Sequence, residues 1–308
     1  MKKFIILAIL CSSLNAKAQQ EPQYTLNQFN SNLEINPAYA GANDNASLSL
    51  RYRKQWVGFD GSPSTASFNA ESKIIQKRLA IGLTVISDRL GITQSTSGDL
   101  SLASHVQISE KVTISVGFKA GVYSLNSDFS KLSNVDPTDP LYVTNNRTIP
   151  YLGFGALLYT SKMYVGFSAP RVVSLENIAP QYKITKPHFY LYGGYRVIIN
   201  SDIELRPALL GKYVIAAPFE ADIAMDVWYR NLIGLGVSYR TSDAVNLMIK
   251  GQFGHFFVGY SYDMTVSGLR TYNSGSHEIY LGFQFGKKDD RITPPKQSNP
   301  DRTKSPRF

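Results

Sequence analysis

Cysteine is all but absent. The one residue, Cys11, falls within the first eighteen positions, so a chain without them has no thiol for a disulfide framework, a zinc site or a thiol nucleophile. Long apolar runs are missing as well: nothing approaches the roughly 20 consecutive apolar residues of a membrane helix. Charged residues make up only 18% of the chain. Histidine is limited to His105, His188, His255 and His277, none spaced from another His, Cys or carboxylate as metal ligands are. There is no phosphate loop and no nucleophile elbow. Gly153-Phe154-Gly155 lies in an alternating segment with no helix behind it, which removes a dinucleotide-binding reading. These gaps leave no catalytic residue, metal ligand or cofactor to assign. A Ser/His/Asp set gathered from distant strands is the one hydrolase arrangement that spacing alone does not remove.

The chain is instead rich in aromatic residues and glycine, with 19 Tyr, 16 Phe and 23 Gly among 308 residues. Its mean hydropathy of −0.16 is that of a soluble protein. A spanning β-barrel gives the same average, because only every second residue of its strands faces lipid.

The first eighteen residues read as an export signal: Lys2-Lys3, an apolar core from Phe4 to Leu10, and Ala16-Lys17-Ala18 before Gln19. Its removal takes three charges from the formal +9, and four of the remaining six belong to residues 287–308. That tail is basic, proline-containing and without apolar pattern, which is the composition of a disordered periplasmic terminus and not of a nucleic-acid face. Residues 19–45 mix aromatics with turn formers and read as a periplasmic or plug segment.

From position 46 to 286 apolar and polar residues alternate, the mark of strands with two different faces. Leu48, Leu50 and Tyr52 oppose Ser49, Arg51 and Arg53; Val116 and Phe118 oppose Ser115, Gly117 and Lys119. The pattern predicts about fourteen strands, at 46–56, 64–72, 79–87, 98–108, 111–123, 150–160, 162–169, 188–199, 203–214, 219–229, 231–240, 245–253, 255–264 and 276–286. Connections alternate between tight turns and longer stretches at 88–97, 124–149, 170–187 and 265–275. Short turns on one side and long loops on the other follow the rule for outer-membrane barrels, with the turns periplasmic and the loops extracellular. The predicted fold is therefore all-β, a closed transmembrane antiparallel barrel with both termini in the periplasm. Closure also answers the backbone problem, since an open edge in hydrocarbon leaves costly unpaired groups. Pro207 sits inside the ninth strand without an N–H to donate, and predicts a bulge or a later strand start.

The inward parity carries candidate ion pairs across neighbouring strands: Arg196 with Glu204, Lys212 with Glu220, and Arg206 with Asp226. Such pairs line a water-filled pore or cross-link a narrowed one, each contributing roughly 0.2–1 kcal/mol.

Two stretches then carry a resemblance. Ile35-Asn36-Pro37-Ala38-Tyr39-Ala40-Gly41, and Tyr52 through Trp56 to Phe59-Asp60-Gly61-Ser62-Pro63, resemble the amino-terminal signature of the PorP/SprF family, outer-membrane proteins associated with type IX secretion in Bacteroidota. Ser87–Gly91, Ser238–Ala244 and Gly259–Phe285 resemble its later blocks. The resemblance runs from about Gln23 to Phe285. It implies a non-enzymatic accessory of the secretion translocon, paired with a particular exported protein such as a large adhesin. It also implies a link to the periplasmic ring of the same machine. The motif positions Asn36, Pro37, Tyr39, Gly41, Arg53, Trp56, Phe59, Asp60, Asn273, Gly275, His277 and Glu278 become candidate structural or contact residues. Besides this cargo and machinery, the expected partner is outer-membrane lipid, with no nucleic acid. A channel or hydrophobic-solute transporter, plugged by residues 19–45, is the rival from another class.

Overall fold

The computed structural model describes Thr25 and residues 32–43, 45–75, 78–128, 145–174, 186–215 and 217–286. The expected export signal at 1–18 and the basic tail at 287–308 lie outside these residues. Fourteen antiparallel strands form one closed barrel: β1 Ser47–Lys54, β2 Ser64–Ile75, β3 Leu79–Leu90, β4 Thr93–Gln107, β5 Thr113–Ser127, β6 Asn145–Tyr159, β7 Met163–Ser174, β8 in two pieces His188–Tyr195 and Val197–Ile198, β9 Ile203–Val214, β10 Glu220–Tyr229, β11 Ile233–Arg240, β12 Ala244–Phe253, β13 Phe256–Thr265 and β14 Ser276–Gln284. Each strand pairs with its sequence neighbour, and β14 closes on β1 from Ser47 opposite Gln284 to Lys54 opposite His277.

The faces are inverted relative to a water-soluble protein. Leu50, Phe118, Leu100, Ile223 and Leu235 point outward and are more than half exposed, whereas Ser49, Arg51, Arg53, Ser115 and Lys119 are buried inside. An apolar belt on the outside of a closed sheet with a polar interior is the physical signature of a barrel in lipid. The belt is the surface that outer-membrane lipid covers.

Several strands outrun the alternation. β3 and β4 run up to a turn at Gly91-Ile92, so the predicted connection 88–97 is ladder from Thr93 onward and through Leu90. β4 and β5 stay paired as far as Thr93 opposite Ser127. Beyond the lipid both faces meet water, and Gln94-Ser95-Thr96-Ser97 shows no alternation to read although its backbone is fully in the sheet. The longest described strands have fifteen residues, against the 9–11 that lipid requires.

Pro207 produces neither a bulge nor a late start. β9 begins at Ile203 and Pro207 keeps its place opposite Met225 of β10. The other edge gives way instead: pairing with β8 lapses between Leu205–Val197 and Ala208–Gly194, at one unchanged register. The ladder skips the residue that cannot donate. The irregularity of β6 and β7 lies elsewhere, between Leu152 and Phe154.

Candidate functional site

Residues 32–43 lie inside the barrel. Asn36 begins a short 3-10 turn over Pro37–Tyr39, its side chain accepting from the Ala38 amide at 2.8 Å. Nδ2 of the same side chain donates to the Ala156 carbonyl and to the Tyr192 hydroxyl, each at 3.0 Å. One asparagine therefore caps the turn and fixes it to β6 and β8. The wall in turn holds the backbone of the segment. Lys119 Nζ donates to the Glu34 carbonyl at 3.1 Å, Ser168 Oγ to the Ile35 carbonyl at 2.6 Å, and His105 Nε2 lies 2.8 Å from the Ala40 carbonyl. The Gly41 amide donates to Glu71 at 3.0 Å.

Apolar contacts anchor the segment on two sides. Leu33 and Ala40 pack on Ala80 and Ala103 of β3 and β4; Ile35, Ala38, Tyr39 and Ala42 pack on Leu157, Tyr190, Tyr192 and Leu210 of β6, β8 and β9. Room for the turn comes from two glycines that face each other across β5 and β6, Gly117 and Gly155. A Cβ on Gly117 would collide with the backbone of Pro37 and Ala38, and one on Gly155 with the Asn36 side chain.

Above this plug, toward the long connections, is a buried ionic cluster at the closing seam. Arg51 reaches Glu34 of the plug at 3.0 Å and Glu278 at 3.4 Å. Arg53 reaches Asp263 at 2.6 Å and Glu278 at 3.2 Å; Arg240 reaches Asp222 at 3.0 Å and Asp263 at 3.6 Å. Thr25 joins it from the amino-terminal segment, donating its amide to Glu278 at 2.7 Å and its hydroxyl to Asp263 at 2.6 Å. Removing one partner of so buried a group strands the others at a cost of roughly 3–5 kcal/mol.

Over the same mouth two loops join edge to edge. The Val57 amide donates to the Gly275 carbonyl at 2.8 Å and the Ser274 amide to the Val57 carbonyl at 2.7 Å. Gly58, Gly61 and Gly275 have φ of 90°, 71° and 87°, and Trp56 shares the left-handed region at 44°. Asn273 Oδ1 receives the Gly275 amide at 2.8 Å and the Thr265 hydroxyl at 3.0 Å.

The structure thus sorts the candidate residues into three places. Asn36, Pro37, Tyr39 and Gly41 are in the plug, Arg53 and Glu278 in the ionic cluster, and Trp56, Phe59, Asp60, Asn273 and Gly275 in the joined loops. His277 points outward beside Tyr260, whose hydroxyl is 2.7 Å from its Nδ1, at the height where barrels carry interfacial aromatics.

The three candidate ion pairs have different fates. Lys212 lies opposite Glu220 and Arg206 opposite Asp226 in register. The Arg206 guanidinium, however, bonds Glu204 at 3.0 Å and stacks 4.3 Å from the Trp228 ring, while Asp226 binds Lys250 at 2.7 Å. Arg196 bonds Glu204 at 2.8 Å, but diagonally, since the residue opposite Glu204 is Ile198. The 199–202 turn, in which the Ile199 amide bonds the Ile203 carbonyl, sets that register.

Glu34, Arg51, Asp263, Arg240, Lys119 and Tyr192 were not among the candidates. Inward parity was the available signal for five of them, but parity does not say what a side chain meets across a lumen. Among the described residues no group of histidines, cysteines or carboxylates is arranged to hold a metal ion.

Comparison with known proteins gives a family. The family model described as "Type IX secretion system membrane protein PorP/SprF" matches residues 16–283. No curated protein matches the chain. Among solved structures, CdiB from Acinetobacter baumannii aligns at 8% identity with a TM-score of 0.43, over 78% of this chain and 60% of CdiB. The Acinetobacter baumannii outer membrane protein Omp33 aligns at 10% identity and 0.43, over 79% of this chain and 100% of Omp33. A Pseudomonas aeruginosa FadL homologue aligns at 11% and 0.47, over 82% of this chain and 93% of the homologue.

Proposed function

The chain belongs to the PorP/SprF family of type IX secretion system membrane proteins, and from that premise we propose a non-enzymatic outer-membrane accessory that supports the secretion or surface retention of one exported protein, such as a large adhesin. The observation that carries this reading is the filled lumen. Residues 32–43 bridge the barrel from β3 and β4 to β6–β9, so the surfaces left for a partner are the loops at one mouth and the turns at the other. The long loops face outward and take the exported protein; the turns face the periplasm and meet the translocon and its ring. At that mouth the loops 55–63 and 266–275 are tied to each other by the backbone bonds of Val57 with Gly275 and Ser274.

A mild-detergent pull-down of the native protein, with mass spectrometry of what accompanies it, tests this directly. Deletion of 129–144 should release the exported protein from the cell surface while the barrel still folds; unchanged surface cargo would overturn the loop-docking reading. The plug equally fits a solute transporter, and conductance separates the two. Large steady currents through the purified protein in planar bilayers count against the cargo-holding role.

A further inference from the structure

The path of the amino-terminal segment through the barrel is unusual. β1 starts at Ser47, at the end where the short turns lie, with Asn45 beside Gly286 and Ser47 opposite Gln284. Thr25 is at the other end. Its partners Glu278 and Asp263 are at the start of β14 and near the end of β13, and Arg240, 3.4 Å from its hydroxyl, is the last residue of β11 before the 241–243 turn. All three partners are inward-facing and almost wholly buried. Thr25 therefore lies inside the wall, and the wall is closed all round, including the β14–β1 seam.

The geometry of the intervening chain is undemanding. Glu34 bonds Arg51, two residues along β1 from the Arg53 that contacts Thr25, a rise of about 7 Å. The seven steps from Thr25 to Asn32 can span up to about 25 Å. Below the level of Thr25 the lumen is already occupied by residues 32–43, packed on both walls.

We propose that the chain enters the barrel at the long-loop mouth, where Thr25 sits, and traverses the lumen to reach β1 at the short-turn mouth. The barrel then closes around a segment that crosses it from one mouth to the other. This inference needs the barrel and its plug, not the cargo-holding role.

Single cysteines in a Cys11→Ser background test it in whole cells carrying the protein in their outer membrane. Tyr272→Cys marks the long-loop mouth and Ser201→Cys the short-turn mouth, both at exposed positions. A maleimide that does not cross membranes should label Gln20→Cys in intact cells to the same extent as Tyr272→Cys, and leave Ser201→Cys unlabelled until the cells are permeabilised. If Gln20→Cys is unlabelled in intact cells while Tyr272→Cys is labelled, the threading is wrong. If the two controls exchange their behaviour, the barrel is oriented the other way, and the threading then stands only if Gln20→Cys follows Tyr272→Cys. Labelling after denaturation confirms that each cysteine is present.

Discussion

Replacing Asn36 by alanine is the sharpest single test of the plug. Asn36 is fully buried, and its side chain makes three hydrogen bonds of 3.0 Å or shorter, one from the Ala38 amide and one each to the Ala156 carbonyl and the Tyr192 hydroxyl, besides a long one of 3.5 Å to the Phe167 carbonyl. The first is an N-cap bond, whose loss costs about 1 kcal/mol. The other two are buried, at about 1 kcal/mol each. A total of about 3 kcal/mol raises the unseated population of the segment about 100-fold, since each 1.4 kcal/mol is a factor of ten. Amide hydrogen exchange read by mass spectrometry reports that population where opening is rapid. Peptides covering 32–43 should exchange about 100-fold faster in Asn36→Ala and about fivefold faster in Tyr192→Phe, which removes one bond of the three. Peptides from β4, β5 and β6 should not change. Unaltered exchange in 32–43 would refute the anchoring role of Asn36. Equal acceleration in the strands would show that plug and wall open as one unit, and would refute an independently seated segment.

Three further outcomes follow from the same geometry. Gly155→Val should leave the barrel folded, since valine suits a strand, but should unseat the Asn36 side chain that occupies the space; rapid proteolysis of 32–43 with an intact heat-resistant barrel on a gel is the expected result. Arg53→Met strands Asp263 and Glu278 without one of their cations and should lower stability by about 3–5 kcal/mol, read from the urea midpoint of unfolding in vesicles. Phe118→Arg places a charge on the outward face, where Phe118 is 65% exposed. Water would tolerate it, whereas lipid should impose a cost of about 2–4 kcal/mol near the midplane; an unchanged insertion yield would argue against the position assigned to the belt.

What could be read in advance follows from where the two faces of a strand meet different solvents. Leu48, Leu50 and Tyr52 against Ser49, Arg51 and Arg53 were readable because lipid and lumen differ, and the same contrast set the closing pair β14–β1. Where β3, β4 and β5 leave the lipid the contrast ends, so Gln94–Ser97 read as a loop although they pair in a ladder. The 3-10 turn at Pro37–Tyr39 was equally hidden. Its partners Ala156, Ser168 and Tyr192 come from three different strands, and only the closed barrel brings them to one place. The one trace it left was Gly117 and Gly155 on inward positions, which read as part of the glycine-rich alternation and prove to be the space the plug fills.

The ionic groups carry this further. Register correctly set Arg206 opposite Asp226, yet Arg206 turns to Glu204 and Trp228, and Asp226 to Lys250. On an open sheet a side chain chooses among its own and adjacent strands; inside a closed barrel it also meets the plug and the strands across the seam. Arg51, Arg53 and Arg240 illustrate the consequence, because their carboxylate partners come from the plug, β10, β13 and β14. No two adjacent strands contain enough of this cluster to neutralise it. Until β14 meets β1 and Glu34 arrives with the plug, buried arginines and carboxylates lack part of their compensation, a state that low-dielectric surroundings penalise heavily. Plug and closing seam thus share a charge at Arg51, which binds Glu34 and Glu278 together, so a seated plug adds compensation to a seam already laddered from Ser47 to Lys54.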